Sequence, residues 1–213
     1  MPVQVTLDQI AQLAPSARSS YRDAFGSGQE VLDRFAISES PLRVAHFMAQ
    51  MLHESGALTV QFENLNYSAE RLPKVWPKRF QPIGPLDPVA FAYNPDKLAN
   101  VVYGGRMGNV APDEGFKFRG RGLLQLTGKD SYIAATTILR RSFPDAPDFT
   151  SDPDAVTSAE WCLKVAAAEW FAKGCNDRAD QDAINAITKA INGGLIGLVE
   201  RIEWYKRTKF IWH

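Results

Sequence analysis

The chain has 213 residues, 45% of them hydrophobic and 23% charged, a composition ordinary for a globular protein and too apolar for disorder. Lysine plus arginine equals aspartate plus glutamate at 24 each, so no net field draws it onto nucleic acid and no nucleic-acid partner is expected. No run approaches the roughly 20 apolar residues of a membrane span, and stable membrane insertion is not expected.

The opening MPVQVTLDQIAQLAP lacks a basic start and a long apolar run, so it reads as a helix rather than a secretory leader. Thr6 and Gln9 form a capping-box pair that opens a helix from Leu7 to Ala14, and Pro15 stops it. Residues 16–25 and 29–37 read as two short helices divided by Gly26-Ser27-Gly28. Ser40-Pro41 is an N-cap followed by proline at the first helical position. The helix it opens, LRVAHFMAQMLHE, keeps a 3.6-residue apolar period through Val44, Ala45, Met48, Met51 and Leu52, and Gly56 ends it.

Residues 65–117 hold Pro73, Pro77, Pro82, Pro85, Pro88, Pro95 and Pro112 and predict a small irregular lobe, with short helices from Ser68, Asp87 and Asn94. FRGRGLLQLTG at 118–128 predicts a strand or extended turn, and Thr127 is the expected cap of a helix over about 129–141. Helices follow near 153–173, 181–191 and 196–208. Cys162 and Cys175 are thirteen residues apart; on one continuous helix of about 1.5 Å rise per residue they lie nearly 20 Å apart, so two free, partly buried thiols are expected. The C-terminal RIEWYKRTKFIWH either touches an anionic surface or docks a terminal helix on the core through its aromatics. The expected fold is mainly α, one domain over 1–213 with 65–117 as its lobe.

Two carboxyl groups stand out chemically. Glu54 follows Phe47 by seven residues and Met51 by three, so it lies beside the apolar stripe, and it sits at a helix C-terminus where the dipole disfavours negative charge. Both effects favour a neutral acid, as general acid catalysis of glycoside hydrolysis requires. A solvated or structurally paired glutamate is the plainer alternative. Nine residues on, Glu63, Asn64, Asn66 and Ser68 alternate with Phe62, Leu65 and Tyr67, an extended segment with one polar face that suits either a sugar-binding wall or an ordinary hairpin edge. HESG lacks the second histidine of a zinc-protease motif, and the chain has three histidines in all, so neither a metal nor another cofactor is expected.

HESG at 53–56, ENLNYSAERL at 63–72, GRGLLQLTG at 120–128 and ITKAINGG at 187–194 occur in that order. Together they resemble glycoside hydrolase family 19, the chitinase-like group that includes many bacteriophage endolysins, over about residues 40–205. The resemblance implies a lysozyme-like helical fold with a short β segment. It implies Glu54 as general acid, Glu63 as the base that activates water, and Thr127 as a hydroxyl near that water. Gln125 and Asn192 are the implied substrate contacts, His53, Asn64, Asn66 and Tyr67 are expected to bind substrate beside them, and Arg201, placed with them, is the implied steadier of a catalytic carboxylate. A guanidinium lowers a carboxyl's pKa, so its partner is expected to be the group that stays ionised or a third acid. Such a pair inverts the anomeric carbon, with carboxyls roughly 6.5–9.5 Å apart.

Two features depart from the plant chitinases of that family. Ser55-Gly56-Ala57 stands where they have Thr-Gly-Gly after the first glutamate, and this chain has two cysteines where they carry several disulfides. Both favour the endolysin branch, and with it a monomeric enzyme on peptidoglycan glycan strands, made in a host cytoplasm and acting on the wall after release. Chitin as substrate, and a catalytically silent glycan-binding protein on the same fold, are the alternatives.

Overall fold

The computed structural model describes residues 1–213 and is built almost wholly of helices. In chain order these are α1 (Leu7–Leu13), α2 (Ser19–Gly26), α3 (Gln29–Arg34), α4 (Pro41–Glu54), α5 (Leu72–Val75), α6 (Pro95–Tyr103), α7 (Glu114–Lys117), α8 (Lys129–Ser142), α9 (Cys162–Ala172), α10 (Cys175–Asp180), α11 (Ile184–Asn192) and α12 (Leu198–Ile211). Two compact units result. The first is Met1–Gln61, Arg121–Leu126 and Ser131–His213; the second is Phe62–Gly120 and Thr127–Asp130. No helix is long and apolar enough to cross a membrane.

The first unit forms around α4. Ser40 accepts the Arg43 N–H at its N-terminus, Pro41 follows, and every residue from Val44 to Leu52 is buried. A helix buried on every face, His46 and Gln50 included, must be wrapped on all sides. Ala45 and Ala49 are small, which lets α12 approach with Tyr205 packed on them and the Thr208 hydroxyl donating to the Ala45 carbonyl at 2.8 Å. Of the C-terminal aromatics Tyr205 and Trp212 dock inward, Trp212 donating its indole N–H to Gln4 O, while Phe210 is 78% exposed. Trp170 of α9 meets Phe47 edge-on at 5.3 Å between centroids.

The helical pattern through both cysteines is not one helix. Gly174, at φ 59, breaks it between α9 and α10, a backbone conformation that costs glycine little. Both thiols are free and fully buried, more so than expected from sequence, and burial raises each to about 12.

The second unit has its own core of Leu65, Leu72, Phe80, Phe91, Leu98, Ala99 and Val102. Its prolines fall where proline costs no helical hydrogen bond. Pro73, Pro88 and Pro95 open α5, a 3-10 turn over Pro88–Phe91 and α6, and Asp87 and Asn94 cap the last two. The helix expected from Ser68 starts later, at Leu72. Gly115 lets α7 lie on α6: a Cβ there would stand 2.6 Å from the Ala99 carbonyl oxygen.

Of the strand or extended turn expected over 118–128 the structure forms a turn, closed by a single antiparallel bridge from Arg121 to Leu126 with Gly122 and Gln125 at positive φ. At the start of α8 the Lys129 N–H goes to Asn109 Oδ1 and the Asp130 N–H to Met107 O, each at 3.0 Å.

Candidate active site

Glu54 is the last residue of α4, and the chain turns sharply behind it. Gly56, Ala57 and Leu58 all have positive φ (55°, 57° and 63°). Two alanine-like or larger residues in that region are costly, and local bonds hold them there: Ser55 Oγ donates to Met51 O and accepts the Leu58 N–H, while Leu58 O accepts the Arg18 N–H.

Arg201, in the first turn of α12, is 1% exposed. It gives Nη1 to Gln50 Oε1 at 2.5 Å and Nη2 to Glu54 Oε1. Gln50 and Glu54 are four residues apart and so stack on one face of α4, which is what lets one guanidinium span them. Arg201 Nε and Gln50 Nε2 are buried without a hydrogen-bond partner. Arg201 thus pairs with Glu54, the expected general acid, and not with the carboxyl expected to stay ionised or a third acid; the Glu54 side chain keeps 17% exposure.

His53 is half-buried beside it, held below its ordinary pKa first by burial and then by the Arg201 charge, so it is neutral near pH 7. Gly197 makes room for its ring: a Cβ there would lie 2.5 Å from His53 Nε2. Glu169 on α9 completes the surroundings. Burial raises its pKa to about 7, with the charge of Glu54 adding and Lys173, 3.8 Å away, opposing. Its Oε2 is buried without a partner.

In the second unit Glu63 is held on both oxygens. Oε1 accepts the Gly120 N–H and Oε2 the Tyr103 hydroxyl, each at 2.6 Å, and the Glu63 N–H bonds Gly120 O at 3.0 Å. Arg119 lies over Phe62 and Phe116 at 5.2 and 4.0 Å.

The remaining sequence-derived residues are placed as follows. Asn64 and Asn66 are exposed and joined locally, Asn64 Oδ1 accepting the Asn66 N–H at 2.9 Å. Tyr67 packs on the second unit's core, edge-on to Trp76 at 5.1 Å. Thr127 is half-buried in the same unit. In the first unit Gln125, at φ 52, donates to Gly122 O, and exposed Asn192 ends α11 with Nδ2 on Ile196 O at 3.3 Å. Sequence reasoning missed Gln50, Tyr103, the Gly120 amide and Glu169. Only Gln50 carried a signal, its four-residue offset from Glu54.

No family model matches the chain. It is 36% identical over 167 residues, 78% of each chain, to a protein of Haemophilus influenzae described as a glycosyl hydrolase family 19 domain-containing protein. In structure it is similar to a bacterial family 19 chitinase, with a TM-score of 0.62, 21% identity and coverage of 98% of this chain and 94% of the other. Chitinase C from Streptomyces griseus gives a TM-score of 0.63 at 15% identity, covering 99% and 93%.

Proposed function

This chain belongs to glycoside hydrolase family 19, a glycoside hydrolase on that family's mainly helical, lysozyme-like fold, and from that membership we propose that it cleaves β-1,4 bonds between the N-acetylated sugars of peptidoglycan. The observation that carries the catalytic reading is how each carboxyl is held: Glu54 by a buried guanidinium, Glu63 by two hydrogen-bond donors.

In this reading Glu54 delivers its proton to the glycosidic oxygen as the C1–O bond breaks. A water attacks C1 from the opposite face and loses a proton to Glu63. Glu54 becomes an anion in that step, and Arg201 then faces a full negative charge, so the pair is stronger after proton transfer than before it. An interaction that grows along the reaction coordinate accelerates the step. The Thr127 hydroxyl holds the water, and Gln125, Asn192, Asn64 and Asn66 contact the sugars.

Chitin is the second reading, favoured by the chitinases that share the fold. The two polymers present the same linkage and N-acetyl groups, so the carboxyl pair does not tell them apart. They differ at every second sugar, where peptidoglycan bears a lactyl ether and a peptide stem. The nine-residue step from Glu54 to Glu63, and the absence of disulfide-braced loops, favour tolerance of that bulk. Discrimination by one ill-fitting group is worth roughly 10–200-fold in rate. Purified sacculi fragments are therefore expected to be cleaved at least tenfold faster, in kcat/KM, than a chitin hexamer. Glu54→Gln should lose about 10²-fold or more on both. Equal kcat/KM on the two substrates promotes the chitinase reading, and a fully active Glu54→Gln removes Glu54 from the chemistry.

A further inference from the structure

Resting on the reading of Glu63 as the base, we infer that Tyr103 is the positioning residue that fixes that carboxylate in its working orientation. No sequence motif marks Tyr103, which lies 40 residues from Glu63.

A general base must point a free lone pair at the water it deprotonates, and a glutamate side chain has several rotatable bonds with which to miss. Here Gly120 holds one oxygen and Tyr103 the other. A carboxylate has about four acceptor positions, so two donors fix its plane and leave lone pairs for the water. The Gly120 N–H alone would not suffice, because one bond leaves the carboxylate free to rotate about it.

Tyr103 is suited to be a permanent donor. Burial first, then the charge of Glu63 and the hydrogen bond itself, push its hydroxyl well above the ordinary phenol range; Tyr67 adds to this and Arg106 opposes it. The hydroxyl therefore keeps its proton wherever the enzyme works, and the proton is directed at Glu63.

Tyr103 is itself braced. It ends α6, and its carbonyl accepts Asn109 Nδ2 at 3.0 Å. Asn109 is 1% exposed; its own carbonyl takes the Gly105 N–H and its Oδ1 the Lys129 N–H that starts α8. Glu114 pins the same loop by accepting the Val110 and Ala111 amides at 2.7 and 3.0 Å. One buried asparagine thus ties the end of α6, the loop after it and the start of α8, and the Tyr103 hydroxyl is the point where that scaffold meets the carboxylate.

The test uses Tyr103→Phe, Glu63→Gln and the double variant, assayed for kcat and KM on sacculus fragments across pH, with a melting curve for each. Tyr103→Phe should lower kcat about tenfold with KM within about twofold, because only orientation of the base is lost. The acidic limb of its kcat/KM profile should move to higher pH, since a carboxylate that loses a donor binds a proton more readily. The limb's position does not depend on how much of the variant is folded, so it separates positioning from stability. In the double variant Tyr103→Phe should add nothing to the loss from Glu63→Gln. An unchanged kcat and unmoved limb in Tyr103→Phe, with Glu63→Gln inactive, overturns the inference alone. So does a further tenfold loss in the double variant, which would show Tyr103 acting independently of Glu63. Full activity of Glu63→Gln removes the base assignment and the inference with it.

Discussion

Glu54 illustrates what one residue's neighbours in sequence can and cannot reveal. Its helix end and apolar flank were legible, because helical periodicity fixes both. The motifs implied that Arg201 steadies a catalytic carboxylate, but not that the carboxylate is Glu54, because that contact joins residues 147 apart and depends on how α12 seats on α4. Glu169 was illegible for the same reason, and it sits where burying a carboxyl is costly. Burial holds its pKa near 7, above the ordinary value of 4.5. A carboxyl raised in this way contributes stability that is fully present below about pH 4.5 and is lost as pH rises through 7. Glu169→Gln has no proton to lose and should escape that decline. The melting temperature of the variant relative to the natural chain should therefore rise between pH 5 and pH 8, and a difference that stays constant across that window contradicts the burial account.

At the scale of elements, the caps were read correctly wherever the capping residue and the proline stand side by side: Ser40-Pro41, Asp87-Pro88 and Asn94-Pro95 each open a helical segment as expected. These signals are local, so sequence carries them. Over 118–128 a turn forms and not the strand also expected there, because its glycines support a tight turn as readily as an extended run and no partner strand exists to extend it. Two amides at the start of α8 bond Asn109 and Met107, which lie about 20 residues upstream and share no motif with it. The start of α12 offers a direct test. Gly197 has φ 72, and a Cβ there would lie 2.5 Å from His53 Nε2. Gly197→Ala should cost about 1–2 kcal/mol from the backbone alone and displace His53 beside Glu54. Lower melting temperature together with lower turnover per folded molecule is the expected result; an unchanged protein would mean that the α12 start shifts freely.

At the scale of the molecule, the two proposed catalytic carboxyls belong to different compact units, Glu54 to the first and Glu63 to the second, and each is held by bonds within its own unit. The four motifs made the family and the mainly helical fold legible, because they span most of the chain in a fixed order. The two-unit division follows from proline placement and a second apolar core, which sequence suggested only as a lobe over 65–117. The central claim is that Glu54 gives a proton while Glu63 activates water, and it has a stereochemical consequence. Direct attack by water on a β-linked sugar inverts the anomeric carbon, whereas attack by a carboxylate followed by water retains it. Proton NMR of the first-formed product, recorded before mutarotation, reads this outcome directly. The account predicts the α-anomer as the initial product; the β-anomer would contradict it and make the second carboxyl a nucleophile.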